Sequence, residues 1–420
     1  MHVLIRVSVA MLWLHALGAL GAEPAVLSLT EAERLALDRD VSAAARTAQA
    51  DALRQQSIAD GQLPDPKLKL GAANFPTDTF NRSQEAMTQL QIGVVQNFPP
   101  GHTLALRSDR RATLAEAADA MAEAERLRVL RDTRIAWLET QYQIEAERVI
   151  EQSRQYFTQL VEITRAQYAS GRGNQQDVLR AELELSLLGD RLLQARTRQD
   201  GARAGLGRLI GPSEARRPLS AGLPQLPGLP DYATLAQALP RHPLIAVEDR
   251  RVTASRLDVN LARQRYKPAW SLDVTYGDRV GGNPDGSDRA DFLSAMVMLD
   301  MPLFPGKRQD RLLAASQKDA EAASLAREDR LYELQRMLDA EYASWRLLNE
   351  RRQGYEERLV TEAGQNALAA LRAYRNAVTD FEVVMRARIT ELDTRLDALR
   401  VAVDAAQTQA RLLYLAGEGE

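Results

Sequence analysis

Residues 168–182 read YASGRGNQQDVLRAE and residues 374–388 read YRNAVTDFEVVMRAR, and the second answers the first without a gap at an offset of 206. Tyr168 falls on Tyr374, Arg180 and Ala181 on Arg386 and Ala387, and downstream Leu209 and Gly211 on Leu415 and Gly417. Upstream, FPPG at 98–101 answers FPG at 304–306, with Gly101 on Gly306 at an offset of 205. The Pro66 segment answers the Pro268 segment at an offset of 202, a drift that loop-length changes between duplicated halves produce. Self-similarity at a fixed period decides a fold before local structure does. The chain therefore divides into a first repeat, 23–211, and a second, 231–417, with a short tail, 418–420. Prolines 212, 218, 224, 227 and 230 mark residues 212–230 as the linker between them.

Both halves carry the same order of elements. A first helix is expected over 29–61 and again over 231–265. An extended segment, a polar loop and a second extended segment follow. The FP(P)G breaks at Pro99–Gly101 and Pro305–Gly306 then end a strand and launch a very long helix, over 102–168 and 307–373. A glycine- or asparagine-bearing turn reverses the chain into return helices over 174–210 and 380–416. Leu392, Leu396, Leu399, Val403, Ala406, Ala410 and Leu413 follow the alternating four-three spacing of a coiled-coil seam. Val149, Tyr156 and Ile163 repeat at seven, with Leu160 on the same face. At 1.5 Å per residue, helix 102–168 would reach about 100 Å, more than any single globular core needs.

Composition narrows the class. The 420 residues hold 54 basic and 57 acidic side chains, four histidines and no cysteine. A mean hydropathy of −0.34 excludes a polytopic helical membrane protein, which needs several apolar runs of about 20 residues. Near-balanced charge argues against a nucleic-acid partner, whose footprint is a basic excess. The missing cysteines exclude disulfides, Cys-ligated zinc, iron–sulfur clusters and a lipid-bearing cysteine. Residues 1–22 read as a secretory signal peptide: Arg6, an apolar stretch Val7–Leu20, then Gly21 and Ala22, with cleavage expected after one of these two.

The extended segments bear on where the chain resides. In 88–98, Leu90, Ile92, Val94 and Phe98 share one face and Gln89, Gln91, Gly93 and Asn97 the other. In 269–276, Trp270, Leu272, Val274 and Tyr276 oppose Ser271, Asp273 and Thr275. In 67–72, Leu68 and Leu70 oppose Lys67 and Lys69, whereas 291–304 alternates poorly and its phase is open. Segments 88–98 and 269–276 are near the length of about 9–11 residues that crosses a bilayer as a tilted strand, 67–72 is shorter and 291–304 longer, and each equally suits a half-buried soluble sheet. Polar loops at 76–87 and 278–290, and aromatics Phe75, Phe98, Trp270, Tyr276, Phe292 and Phe304 near strand ends, suit an interfacial girdle. Four strands cannot close a barrel, and an open edge in lipid leaves backbone groups unpaired. A membrane reading therefore demands oligomerisation.

The duplicated plan, the tip motif Tyr-x-x-Gly…Asp-Val-Leu-x-Ala (Tyr168, Gly171, Asp177, Val178, Leu179, Ala181) and the FP(P)G breaks resemble the TolC-type outer-membrane efflux proteins over residues 29–417. LPDPKLKLG at 63–71, NFPTDTF at 74–80 and MTQLQIGVVQNFPPG at 87–101 look like the heavy-metal, CzcC-like branch. The resemblance implies a mainly α chain with a β-barrel part. Three chains would close a twelve-stranded barrel, continued by a long α-helical coiled-coil barrel. It also implies the role of exit duct in a tripartite RND-type pump of a Gram-negative outer membrane. The partners would be a periplasmic adaptor and an inner-membrane transporter. In such proteins the hairpin tips meet the adaptor and close the aperture. Those tips map to Tyr168, Gly171, Arg172, Gly173 and Asp177 in the first repeat and to Tyr374, Asp380, Glu382 and Arg386 in the second. Acidic residues of the second tip line the aperture in some relatives. The matching positions here are Val383 and Arg386, with Asp177, Asp380 and Glu382 the acids at hand. Asp177 and Asp380 also suit helix N-caps.

No catalytic constellation or cofactor motif appears. His102 and His242 each sit beside a turn signal, and GRG at 171–173 and GGNPDG at 281–286 are turn chemistry. Met296, Met298 and Met301 are apolar filler, or thioethers suited to copper(I) and silver. Three functions stay open on the residues: an efflux duct, for metal cations or for organic solutes; a soluble periplasmic coiled-coil scaffold or adaptor; and an exported enzyme, which the missing site chemistry opposes.

Overall fold

A computed structural model describes residues 26–417; the expected signal peptide and the tail lie outside the described residues. The helices are α1 (Leu29–Asp38), α2 (Val41–Asp60), α3 (Thr103–Ala169), α4 (Gln175–Ile210), α5 (Tyr232–Ala238), α6 (Pro243–Gln264), α7 (Gln309–Gly354), α8 (Val360–Arg375) and α9 (Phe381–Ala416). The strands are β1 (Lys67–Ala73), β2 (Gln89–Phe98), β3 (Ala269–Asp278) and β4 (Phe292–Asp300).

The offset of 206 holds to the residue through both hairpins. Helix α3 has 67 residues, and α7, a π-helical turn at Tyr355–Leu359 and α8 together span the matching positions 309–375. The return helices α4 and α9 have 36 residues each, starting at 175 and 381. The expectation of one uninterrupted helix over 307–373 is corrected by the π turn.

Two further helices differ from expectation. Residues 29–61 break at Arg39, whose backbone N–H turns back to the carbonyls of Leu35 and Leu37. Residues 231–265 break at a 3₁₀ turn, Leu239–Arg241, because Pro240 and Pro243 cannot donate to a continuous helical ladder. Pro243 instead opens α6 at the position where a missing N–H costs nothing. His242, expected to be an ordinary polar loop residue, is buried and caps α6, its Nδ1 accepting from the Leu244 N–H at 3.2 Å.

The chain folds as two compact units, and each draws on both repeats. The first comprises 26–40, 128–230 and 340–414. One of its cores gathers Leu27, Ala32, Trp137, Leu138, Leu206, Ile210 and Val403. Another joins Phe157, Leu160, Leu188, Leu192, Val384 and Leu392 across α3, α4 and α9. Arg134, only 5% exposed, is held by Glu33 at 2.5 Å. Buried Arg388 pairs with Glu391 at 2.7 Å and lies over the Tyr156 ring at 4.6 Å. The linker is pinned here rather than loose. Leu27 bridges Leu219, Arg217 binds Glu31 and Glu214 at 2.9 Å each, and Gln409 donates to the Pro227 carbonyl at 2.8 Å.

The second unit comprises 41–127, 231–339 and 415–417. It holds an antiparallel sheet of order β1-β2-β3-β4, with β1 and β4 as edges that no other strand pairs among the described residues. The helices attached to these strands neighbour one another in the same order. Arg111 of α3 reaches Asp60 of α2 at 2.9 Å, Arg110 of α3 reaches Asp258 of α6 at 2.6 Å, and Arg327 of α7 reaches Asp249 of α6 at 2.5 Å.

The register settles the phase of β4. Leu68, Val94, Val274 and Ala295 form one row across the four strands, and Leu70, Ile92, Tyr276 and Leu293 another. Leu293, Ala295, Val297 and Leu299 thus share the apolar face with Trp270, Val274 and Tyr276. Met296 and Met298 stand on the opposite face, across from Asp273 and Ser271. That face is closely packed between β1 and β3: Lys69 Nζ bonds Asp273 at 2.9 Å, and Thr275 donates to Asp273 at 2.6 Å. The apolar face is open, with Leu293 77% exposed and Leu68, Leu70, Ile92, Val297 and Leu299 each more than half exposed.

Candidate functional site at the hairpin tips

Both hairpins turn by the same backbone path. At the first tip the Gly171 N–H donates to the Tyr168 carbonyl at 3.0 Å and the Arg172 N–H to the Gln167 carbonyl at 2.9 Å. At the second, Ala377 donates to Tyr374 at 3.0 Å and Val378 to Ala373 at 2.9 Å. The residue after the helix must enter the left-handed region to close such a cap. Gly171 does so at φ +70°, and Ala377 stands at the matching place with φ +57°. Gly173 is small for a different reason: a Cβ there would lie 3.1 Å from Gln167 Cβ and 3.2 Å from the Tyr168 nitrogen.

The helix that follows the first tip is capped by Asn174, whose side chain accepts from the Asp177 N–H at 2.8 Å. Asp177 is therefore not the N-cap, as the sequence allows, but sits one turn into α4, where a carboxylate favours the helix dipole. Burial pushes its carboxyl above the usual range, the Asn174 hydrogen bond opposes this, and nearby Asp380 adds to the push. Asp380 stands immediately before α9, its carbonyl accepting from the Val383 N–H at 3.2 Å.

The two repeat-equivalent tyrosines part company. Tyr168 is half exposed, whereas Tyr374 is 6% exposed and packs against Phe381 with ring centroids 5.6 Å apart. Among the described residues the Tyr374 hydroxyl, which is buried, has no hydrogen-bond partner. Burial, reinforced by the charge of Asp177, pushes its pKa up to about 12. Glu382 accepts from Arg386 at 2.7 Å and lies 3.5 Å from Arg180, which ties α4 to α9. Tyr374, Asp177, Asp380, Glu382 and Arg386 thus gather around the start of α9. Tyr168, Gly171 and Arg172 stay on the exposed turn of the other hairpin, where Arg172 Nε bonds Ser170 Oγ at 3.2 Å. Phe381 and the Arg180–Glu382 tie belong to no motif of the sequence. Arg180 and Arg386 were visible as a matched pair in the repeat, and that match was the available signal.

At the strand-to-helix breaks, Gly101 adopts φ +54°, and a Cβ there would run into Lys267 Cδ at 2.6 Å. The Gln264 side chain accepts from the neighbouring His102 N–H at 3.1 Å. Gly306 is not its conformational twin, since its φ is ordinary and the nearest atom to a Cβ there is 4.0 Å away. Pro305 marks the second break, its carbonyl accepting from Arg308 and Asp310 at 3.0 Å. Among the described residues no group of His, Cys, Asp and Glu could hold a metal ion, and no helix is long and apolar enough to cross a membrane.

The architecture matches solved outer-membrane channels. The chain is similar to the outer-membrane channel OprN at 20% identity and a TM-score of 0.78, over 93% of this chain and 89% of that one. The outer-membrane protein VceC of Vibrio cholerae matches at 19% identity and a TM-score of 0.76, over 93% and 96%. CusC, whose structures describe folding and transmembrane channel formation, matches at 14% identity and a TM-score of 0.75, over 96% and 95%. No protein-family model and no curated protein sequence matches. The likeness establishes that the chain has the fold of TolC-type outer-membrane channels.

Proposed function

We propose that this chain is the outer-membrane exit duct of a tripartite efflux pump, assembled as a homotrimer and exporting heavy-metal cations. The observation that carries the reading is the four-stranded sheet. One face is open and apolar from Leu68 to Leu299, the other is polar, and both edges lack a partner among the described residues. In water the first face and the edges are liabilities. In a closed barrel the apolar face meets lipid, the edges pair, and the polar face lines a wet lumen. Each repeat, 23–211 and 231–417, contributes two strands and one hairpin, and an exported chain reaches the outer membrane after its signal peptide is removed.

Transport through such a duct is passive: it supplies a hydrated path, and an inner-membrane RND transporter supplies the energy. The tip residues Tyr168, Gly171, Arg172, Gly173 and Asp177, with Tyr374, Asp380, Glu382 and Arg386, are assigned to the adaptor contact and the aperture. Opening splays the tips by trading ties such as Arg180–Glu382 for adaptor contacts. The cation cargo is supported by the strand and loop segments 63–71, 74–80 and 87–101, and the alternative cargo is organic solutes.

The test is the sensitivity of a deletion strain to two panels. One holds zinc, cobalt, cadmium, nickel, copper and silver salts; the other holds dyes, bile salts and hydrophobic antibiotics. Selective metal sensitivity, restored by the gene, is expected. Sensitivity to the organic panel alone would keep the duct and reject the cargo. Insensitivity to both, with a protein that is water-soluble without detergent, would favour the scaffold.

A further inference from the structure

We propose that a second copy of this chain adds its β1 to β4 in the register that sets Lys67 of that copy opposite Asp300, closing the seam with an ion pair on the polar face. The inference rests on the trimeric barrel above and adds which residues meet at the seam.

Three observations point to this register. The first is the ladder. Straight across the strands, Lys67 faces Val95, Val95 faces Asp273 and Asp273 faces Met296. Barrel strands are tilted, so a path straight across them returns displaced along the next copy. With a tilt of about 35–45°, strands about 4.7 Å apart and about 3.3 Å per residue, four strands displace it by roughly 4.0–5.7 residues. The displacement must be even, because an odd step turns every side chain to the wrong face. Four is the even value in that range, and it moves the partner of Lys67 from Met296 to Asp300.

The second observation gives the direction of the displacement. Continued from Asp300 through Ala269, the ladder line reaches position 63 in its own chain, four residues before β1 begins at Lys67. A shift of four toward the helices therefore brings the last residue of β4 level with the first residue of the next β1. The strands then meet flush at the end next to the helices, and β4 overhangs β1 by two residues at the other.

The third is charge. Lys69 is already bound to Asp273, whereas Lys67 and Asp300 have no ion-pair partner among the described residues of the chain. A displacement of two would set Asp300 against Asp65, two like charges. A displacement of six would set it against the engaged Lys69 and leave Lys67 beyond the end of β4. Opposite charges directly across strands favour a pairing and like charges disfavour it.

The chain has no cysteine, so engineered thiols read the register directly. In the purified detergent-solubilised protein, Lys67→Cys combined with Asp300→Cys is expected to oxidise to a covalent trimer. Directly opposed Cα atoms, about 4.5–5.5 Å apart, lie within disulfide reach. Asp300→Cys combined with Lys69→Cys or Asp65→Cys is expected to stay largely uncrosslinked. Light scattering of the parent protein reports its oligomeric state separately. A trimer that crosslinks through 69 or 65 overturns this register and leaves the trimer standing. A monomer overturns both. As a second measurement, Lys67→Asp and Asp300→Lys should each lower the temperature at which the trimer dissociates, and the exchanged pair should restore it. Additive losses would overturn the ion pair.

Discussion

Arginine placed at Val274 would separate a lipid-facing sheet from a soluble one. Val274 lies midway along β3, in a row with Leu68, Val94 and Ala295, and is 40% exposed. In a soluble sheet an arginine at so open a position is nearly neutral, within about 0.5 kcal/mol. On the lipid face of a barrel near the midplane it costs about 2–4 kcal/mol per copy, hence about 6–12 kcal/mol over three copies. Ser294→Arg is the control: it pairs with Thr275 one row away on the polar face and would point into water under either reading. The assay is urea unfolding of protein refolded into phosphatidylcholine vesicles, followed by tryptophan fluorescence. The expected outcome is a large loss of folded, membrane-bound protein for Val274→Arg and a midpoint near wild type for Ser294→Arg. Equal midpoints for the two variants would refute the assignment of faces and with it the barrel.

Other consequences are more local. Glu33→Gln strips the buried Arg134 of its counter-charge and should cost about 3–5 kcal/mol of stability, measured by thermal unfolding of the detergent-solubilised protein. Ala377→Gly relieves a left-handed backbone and should stabilise the second tip by about 1–2 kcal/mol, read as slower hydrogen exchange at the Val378 amide; Gly171→Val should do the reverse at Arg172. Tyr374 keeps its proton longer when folded than when unfolded. Its contribution is therefore complete below pH about 10 and is lost as the pH rises toward 12, by about 2–3 kcal/mol in all. Tyr374→Phe should flatten that part of an alkaline unfolding series. Asp177 has the same sign at lower pH: with its carboxyl raised, the tip should gain stability on acidification, and Asp177→Asn should abolish the gain.

Much of this architecture was legible in the residues because its signals are local and periodic. Strict two-residue alternation in Leu90–Phe98 and Trp270–Tyr276 reports a strand with two unlike faces, whatever surrounds it. Proline at 99 stops β2 directly after Phe98, whereas β4 has already ended at Asp300, before Pro302 and Pro305, and α7 starts only at Gln309. The tip motif repeats at one offset because two copies of one hairpin need the same turn. What escaped were choices made between segments distant in sequence. The run FLSAMVMLD is apolar on both faces, so alternation says nothing of its phase until pairing with β3 places Val297 on the face of Leu272 and Val274 and Met296 on the face of Asp273. Tyr168 and Tyr374 are equivalent in the repeat. Which of them is buried depends on Phe381 and on the helices packed around it. The break at Arg39 carries no proline or glycine cap to announce it, and the Tyr355–Leu359 turn follows a single helical glycine, Gly354, that is no stop signal by itself. By itself the sequence determined the kinds of element, their order and their duplication, because backbone geometry and side-chain period are written within a dozen residues. Tertiary structure decided the faces of β4, the buried member of the tyrosine pair and the pinned linker, because burial is a property of which surfaces meet.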